Sequence, residues 1–158
     1  MNGFSAMSMA AYTDDPFLLL GNAYKYCKNN IGQPKVSYAS RHHERRGQKR
    51  DGRLRVGYLS SDLREHAIGF LTAEMYGLHD RSKIETFVYY CGIPSKDTTF
   101  FRIKDSSEHW LDLDAMSDEE AAERMLADGI DILIDVNGYT NGARTKMLAM
   151  QPAPIMRS

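Results

Sequence analysis

Two short polar runs, each directly after an apolar stretch, hold the residues of this chain best suited to chemistry. The first is Ser60-Ser61-Asp62, with His66 four residues beyond the acid. A carboxylate or an imidazole within reach of a hydroxyl can take its proton as the oxygen attacks. The second is Asn137-Gly138-Tyr139-Thr140, followed by Gly142 and Arg144. Its glycines let backbone N–H groups come close to a ligand, and Arg144 can meet an anion. Plainer roles compete with each of these. Ser and Asp after a strand often only cap the next helix, and single histidines are common at caps and on surfaces. Asp112-x-Asp114 has the form of a DxD metal pair, but two acids after a strand without a third ligand more often make a turn, so no metal is expected. Neither a GxGxxG run nor a lysine-bearing phosphate loop is present, and no Cys/His or Ser/His nucleophile arrangement stands out.

The elements that must position these runs are legible in the pattern. Leu54–Ser60 (LRVGYLS), residues 87–91 (FVYYC), 109–113 (HWLDL) and 130–136 (IDILIDV) are strand signals, the last nearly all apolar as for a strand covered on both faces. Helical spacing links Leu71, Met75 and Leu78 across residues 68–78, and a short helix is expected over residues 98–103. Ser117 and Glu120 form a capping box ahead of Ala121, Ala122, Met125 and Leu126, and Gly129 is placed to end that helix. A last helix spans residues 145–150 until Pro152 and Pro154 stop it. Alternating strands and helices with short links predict a Rossmann-like, doubly wound parallel sheet. In such a sheet ligands sit beyond the carboxyl ends of the strands, where both polar runs fall. Four strands are few, and the pattern leaves the fourth with an uncovered edge.

Ahead of this unit, Thr13-Asp14-Asp15-Pro16 starts a helix whose apolar side carries Phe17, Leu20, Tyr24 and Cys27. Asn30 and Gly32 end it. The expected organisation is a helical element over residues 1–34, a basic linker over 35–53 and a Rossmann-like lobe over 54–158. Residues 41–53 have no periodic apolar positions and no interleaved aromatics, so a solvated linker is favoured over a nucleic-acid patch. With 42% hydrophobic and 26% charged residues and a net charge of -1, the chain can bury a core and is no globally basic nucleic-acid binder. No apolar run approaches the roughly 20 residues of a membrane span, and no secretory leader pattern opens the chain. Cys27 and Cys91 stand far apart, as reduced thiols would, so a cytoplasmic location is expected.

At these same residues the sequence resembles a known family. RLRVGYLSSDLREHAIGFL (residues 53–71), DGIDILIDVNGYTNGAR (128–144) and LAMQPAPI (148–155) resemble the catalytic region of protein O-GlcNAc transferases and SPINDLY-like glycosyltransferases. FSAMSMAAYTDDP resembles the join between tetratricopeptide repeats and that region in bacterial members. The resemblance implies the first lobe of an inverting GT-B enzyme that moves N-acetylglucosamine from UDP-GlcNAc to protein Ser or Thr, with no metal or other cofactor. It carries Asp62 onto a carboxylate implicated as proton acceptor and His66 onto an active-site histidine. The chain departs from animal members in having Glu65-His66-Ala67-Ile68 where they have Asn-His-Pro-Thr. It also lacks their second, upstream histidine, which would fall near Asn2 or Gly3. Family sequences continue after PAPI into a Gly-Tyr-Pro-Gly-Thr loop and a nucleotide-binding lobe. An incomplete lobe, inactive alone, is therefore expected. The rival of another class is a binding module that kept the lobe and lost the chemistry. A phosphoacceptor receiver domain does not fit, because no Asp follows the second or third strand with the required Lys and Thr downstream.

Overall fold

The computed structural model describes residues 9–45 and 52–158, with no side-chain description for residues 43–45. Five strands form one sheet: β1 (Leu54–Ser60), β2 (Ile84–Tyr90), β3 (His109–Asp112), β4 (Ile132–Asp135) and β5 (Ile155–Arg157). All neighbours run parallel in the order β3-β2-β1-β4-β5. The chain therefore builds outward from β1 on one side, then crosses to β4 and builds outward on the other. The point of reversal lies between the carboxyl ends of β1 and β4, where a doubly wound sheet opens a crevice.

Side chains alternate along each strand and feed two cores. Leu59, Phe87, Tyr89 and Leu133 point into a layer closed by α4 (Asp118–Asp128) and α5 (Thr145–Ala149), through Ala121, Ala122, Met125 and Met147. Val56, Tyr58, Val88 and Tyr90 face the other layer, closed by Tyr76 and by Phe100 and Ile103 of α3 (Thr98–Ser106). α4 begins at the Ser117–Glu120 capping box and ends at Gly129, whose φ of 72° a side chain would resist. At the amino end of the strands, Glu85 accepts from Arg55 at 2.8 Å and pairs with His109 at 2.9 Å, so the charges there satisfy one another.

Two expectations are corrected. β5 gives no signal in the sequence, because three residues after Pro152 and Pro154 are too short for a periodic pattern. It pairs Ile155 with Ile132 and Arg157 with Ile134, so β4 is an inner strand and its edge is covered. The helix expected over residues 68–78 breaks in two. α2 (Ala67–Thr72) ends where the Thr72 hydroxyl donates back to the Ile68 carbonyl at 2.8 Å, and a separate 3-10 turn covers Met75–Gly77. Leu71 (82% exposed) and Leu78 (79%) consequently face outward, and Tyr76 takes the buried place. Its ring meets Tyr58 edge-on at 5.3 Å.

α1 (Pro16–Tyr26) starts as expected, with Asp15 accepting from the Phe17 N–H, and runs into a wide turn, Cys27–Ile31, ended by Gly32. Phe17, Leu20 and Tyr24 are exposed, while Tyr26 touches Tyr139 with ring centres 5.7 Å apart. Within the stretch read as linker, Tyr38 is buried: its N–H donates to the Met150 carbonyl at 2.8 Å and its hydroxyl to Glu123 at 3.3 Å. Among the described residues, no helix is long and apolar enough to cross a membrane.

Gly69 in α2 lies directly on the backbone of Arg64, and an added Cβ would run into the Arg64 carbonyl oxygen. Gly69→Ala should therefore cost about 2–4 kcal/mol by forced displacement of backbone, readable as a lowered urea midpoint. An unchanged midpoint would mean that this contact is not close-packed.

Candidate active site

The crevice at the reversal point is built from the ends of β1 and β4. Asn137 follows β4, and its side chain is committed in three directions. Its Oδ1 accepts from the backbone N–H of Ser61 at 2.6 Å, and its Nδ2 donates to Ser61 Oγ at 2.6 Å and to Thr140 Oγ1 at 3.0 Å. One amide thus ties two strand ends and its own loop together. Asp135 sets the same loop from below, its carboxylate accepting from the N–H groups of Asn137 (3.0 Å) and Gly138 (3.1 Å) and from the Ser158 hydroxyl (3.1 Å). Gly142, at φ 88°, passes so close that an added Cβ would lie 2.9 Å from Ser61 Oγ. The two polar runs are therefore one packed unit.

Asp62 sits on this unit, only 4% exposed. Its Oδ2 lies 3.4 Å from the Thr140 hydroxyl and 3.9 Å from His66 Nδ1, and its Oδ1 lies 3.5 Å from Arg64. None of these contacts is short, so the carboxylate keeps acceptor capacity for another donor. His66 is the N-cap of α2. Its Nδ1 accepts from the Ile68 N–H at 3.3 Å, and a backbone N–H can only donate. In the neutral ring that contact puts the proton on Nε2, so the free face of His66 is a donor rather than a base. The acid and the imidazole thus have different capacities: Asp62 can take a proton, and His66 can hold an acceptor or polar ligand.

The other expected residues divide. Thr140 joins Asp62 and Asn137 in the cluster. Gly138 takes φ 60° in the turn, and Tyr139 is half exposed at the rim against Tyr26. Arg144 turns away: its Nε donates to Asp118 at 2.8 Å and its terminal nitrogens to the carbonyls of Leu113 and Met116 at 3.1 and 2.9 Å. Those contacts hold α5 against the start of α4. Asp112 accepts from the Asp114 N–H at 3.2 Å, the hydrogen bond of a turn. Burial, against the pull of Arg144 and with Asp135 and Asp62 adding to it, pushes the Cys91 thiol up to about 12, which keeps it protonated and unreactive.

Sequence reasoning passed over Arg64, Asp135 and Asp97. Asp97 caps α3 by accepting from Phe100 N–H at 2.8 Å, and it reaches across to accept from the Glu65 N–H at 3.0 Å. It thereby anchors the turn that carries His66. The capping role of Asp97 ahead of Thr98 was within reach of pattern reading, but its hold on Glu65, 32 residues away, was not.

A parallel sheet in this order with flanking helices is the layout of a Rossmann-like lobe of a GT-B glycosyltransferase. The family model for glycosyl transferase family 41 matches residues 25–157. The chain belongs to that family. It is 39% identical, over 94% of its length, to an Arabidopsis thaliana protein named as a probable UDP-N-acetylglucosamine–peptide N-acetylglucosaminyltransferase SEC, and covers 16% of that relative. It is 42% identical, over 79% of its length, to the Caenorhabditis elegans UDP-N-acetylglucosamine–peptide N-acetylglucosaminyltransferase, and covers 11% of it. A solved mutant of the Thermobaculum terrenum O-GlcNAc transferase superposes with a TM-score of 0.75 at 27% identity, over 92% of this chain and 27% of that one. The chain thus spans less than a third of each of these proteins.

Two outcomes are expected here. Asn137→Ala strips the buried Ser61 N–H of its acceptor and should cost about 2–4 kcal/mol in urea unfolding, since several hydrogen bonds are lost at once; a loss below about 0.5 kcal/mol would deny the clamp. Burial alone would raise the Asp97 carboxyl, but hydrogen bonds from Ser95, Phe100, Glu65 and Thr99 outweigh it and hold it below the ordinary value of 3.8. A carboxyl lowered by folding adds stability above its unfolded value and loses it as pH falls through the folded one. Asp97→Asn should therefore narrow the stability gap to wild type only as pH drops below about 4, with the gap constant at neutral pH. A gap unchanged down to pH 2 would refute this.

Proposed function

We propose that this chain forms the acceptor-side lobe of an inverting transferase that moves N-acetylglucosamine from UDP-GlcNAc to Ser or Thr hydroxyls of proteins. The observation that carries the reading is Asp62, a buried carboxylate with spare acceptor capacity beside His66 at the switch point of the sheet. The relatives named as peptide N-acetylglucosaminyltransferases support the substrate pair. In this scheme the acceptor hydroxyl oxygen attacks the anomeric carbon from the face opposite the nucleotide. The C–O bond to UDP breaks as the new one forms, UDP leaves with the electron pair, and the configuration inverts. The hydroxyl proton passes to Asp62, directly or through a water. His66, donating from Nε2, holds the acceptor, and the 137–142 loop lines the crevice.

Protein acceptor and sugar nucleotide are the partners in this reading. It involves no metal or organic cofactor, no nucleic acid and no membrane, and it places the protein in the cytoplasm, in keeping with the unpaired Cys27 and Cys91. Transfer needs donor and acceptor held together in one closed cleft. We infer that the 158 residues by themselves do not turn over.

Incubated with UDP-GlcNAc and acceptor peptides, the 158-residue chain should release no UDP above blank, and clear release would overturn that inference. In a transferase carrying this segment, Asp62→Asn should lower kcat by roughly 10² to 10⁴ with melting temperature little altered. His66→Ala should lose a comparable amount, part of it in acceptor KM. Full activity in both variants would leave a binding module or a helix cap as the role of this cluster.

A further inference from the structure

The Asp62 carboxylate is buried, and removing a charge from water is costly unless a counter-charge accompanies it. Among the described residues, the cationic side chains paired with it are Arg64, at 3.5 Å, and His66, which is charged only when protonated. Arg64 is held for this contact from several sides. Its carbonyl accepts from the His66 N–H, packed against Gly69, and Leu63 before it is fully buried. The guanidinium Nε is sealed from solvent without a hydrogen-bond partner. An arginine free to extend into water would hydrate that N–H, so the side chain is kept folded over the acid at a cost in hydrogen bonding.

We propose that Arg64 is a positioning residue for the transfer reaction, the counter-ion that holds the Asp62 carboxylate in place and aimed into the crevice. This rests on the reading of Asp62 as proton acceptor. Arg64 acts through Asp62 and touches neither donor nor acceptor.

The pairing is tested first in the 158-residue chain by a double-mutant cycle of Arg64→Met and Asp62→Asn, read by urea unfolding. Arg64→Met should lower the folding constant about tenfold when Asp62 is present and by no more than about twofold in the Asp62→Asn background. Equal losses in both backgrounds would overturn the proposal. The second test uses a transferase carrying the segment. Arg64→Met should lower kcat at least about tenfold with KM for UDP-GlcNAc and peptide unchanged, and Arg64→Lys should recover most of it. A raised KM with kcat intact, or no rescue by Lys, would place Arg64 on a substrate or in the scaffold and refute the role. If Asp62→Asn itself leaves kcat intact, the functional reading fails, and the folding cycle alone decides whether the pair exists.

Discussion

The structure turns on one side-chain amide. Asn137 receives the Ser61 N–H and returns its own N–H to the Ser61 hydroxyl, both at 2.6 Å, across 76 residues of chain. At the carboxyl end of a parallel sheet the last N–H groups have no neighbouring strand to meet, and where they are buried they need another acceptor. Here that need is met by the residue that follows the next strand over. The clamp closes the bottom of the crevice and sets the height of Asp62 above it. It also places Thr140 within reach of the acid. Without it the two polar runs would be separate loops, and their chemistry would depend on chance encounters.

Around this point the molecule divides its polar groups by end. At the amino edge, Arg53, Arg55, Glu85, Glu108 and His109 bind one another, with Arg53 and Glu108 at 2.7 Å, and leave little unsatisfied. At the carboxyl edge, Asp62 and His66 keep capacity to spare. A buried polar group without a full set of partners costs stability, and sites that retain one are where ligands bind. In a chain of glycosyl transferase family 41, this asymmetry marks the carboxyl edge as the end with polar groups left for a ligand. His66 itself caps α2 by accepting from the Ile68 N–H, which leaves the proton of the neutral ring on Nε2.

Features written in local pattern are legible in the sequence. The apolar runs of β1 and β4, the Ser117–Glu120 box and the stop at Gly129 are each decided within a few residues, and so is the approach of His66 to Asp62, four positions apart. What escaped depends on distant partners. β5 is three residues whose strand character comes only from the open edge of β4. The break after Thr72 reflects Tyr76 finding Tyr58, which moved Leu71 and Leu78 off the face that their spacing suggested. The contacts of Arg144 with Asp118 and two carbonyls follow from how α5 meets α4, which no spacing encodes. The resemblance, and not composition, is what singled out Asp62 and His66 among several polar residues.

The crevice is held shut at its base before any substrate arrives. Hydrogen exchange of the Ser61 backbone amide, followed by NMR in the free 158-residue chain, reads that clamp directly. A clamped amide opens only with the sheet, so Ser61 should exchange as slowly as the neighbouring strand amides of Tyr58 and Leu59. Exchange at the rate of an exposed loop, with Tyr58 and Leu59 still protected, would show that the ends of β1 and β4 are not joined and that the site is not preformed.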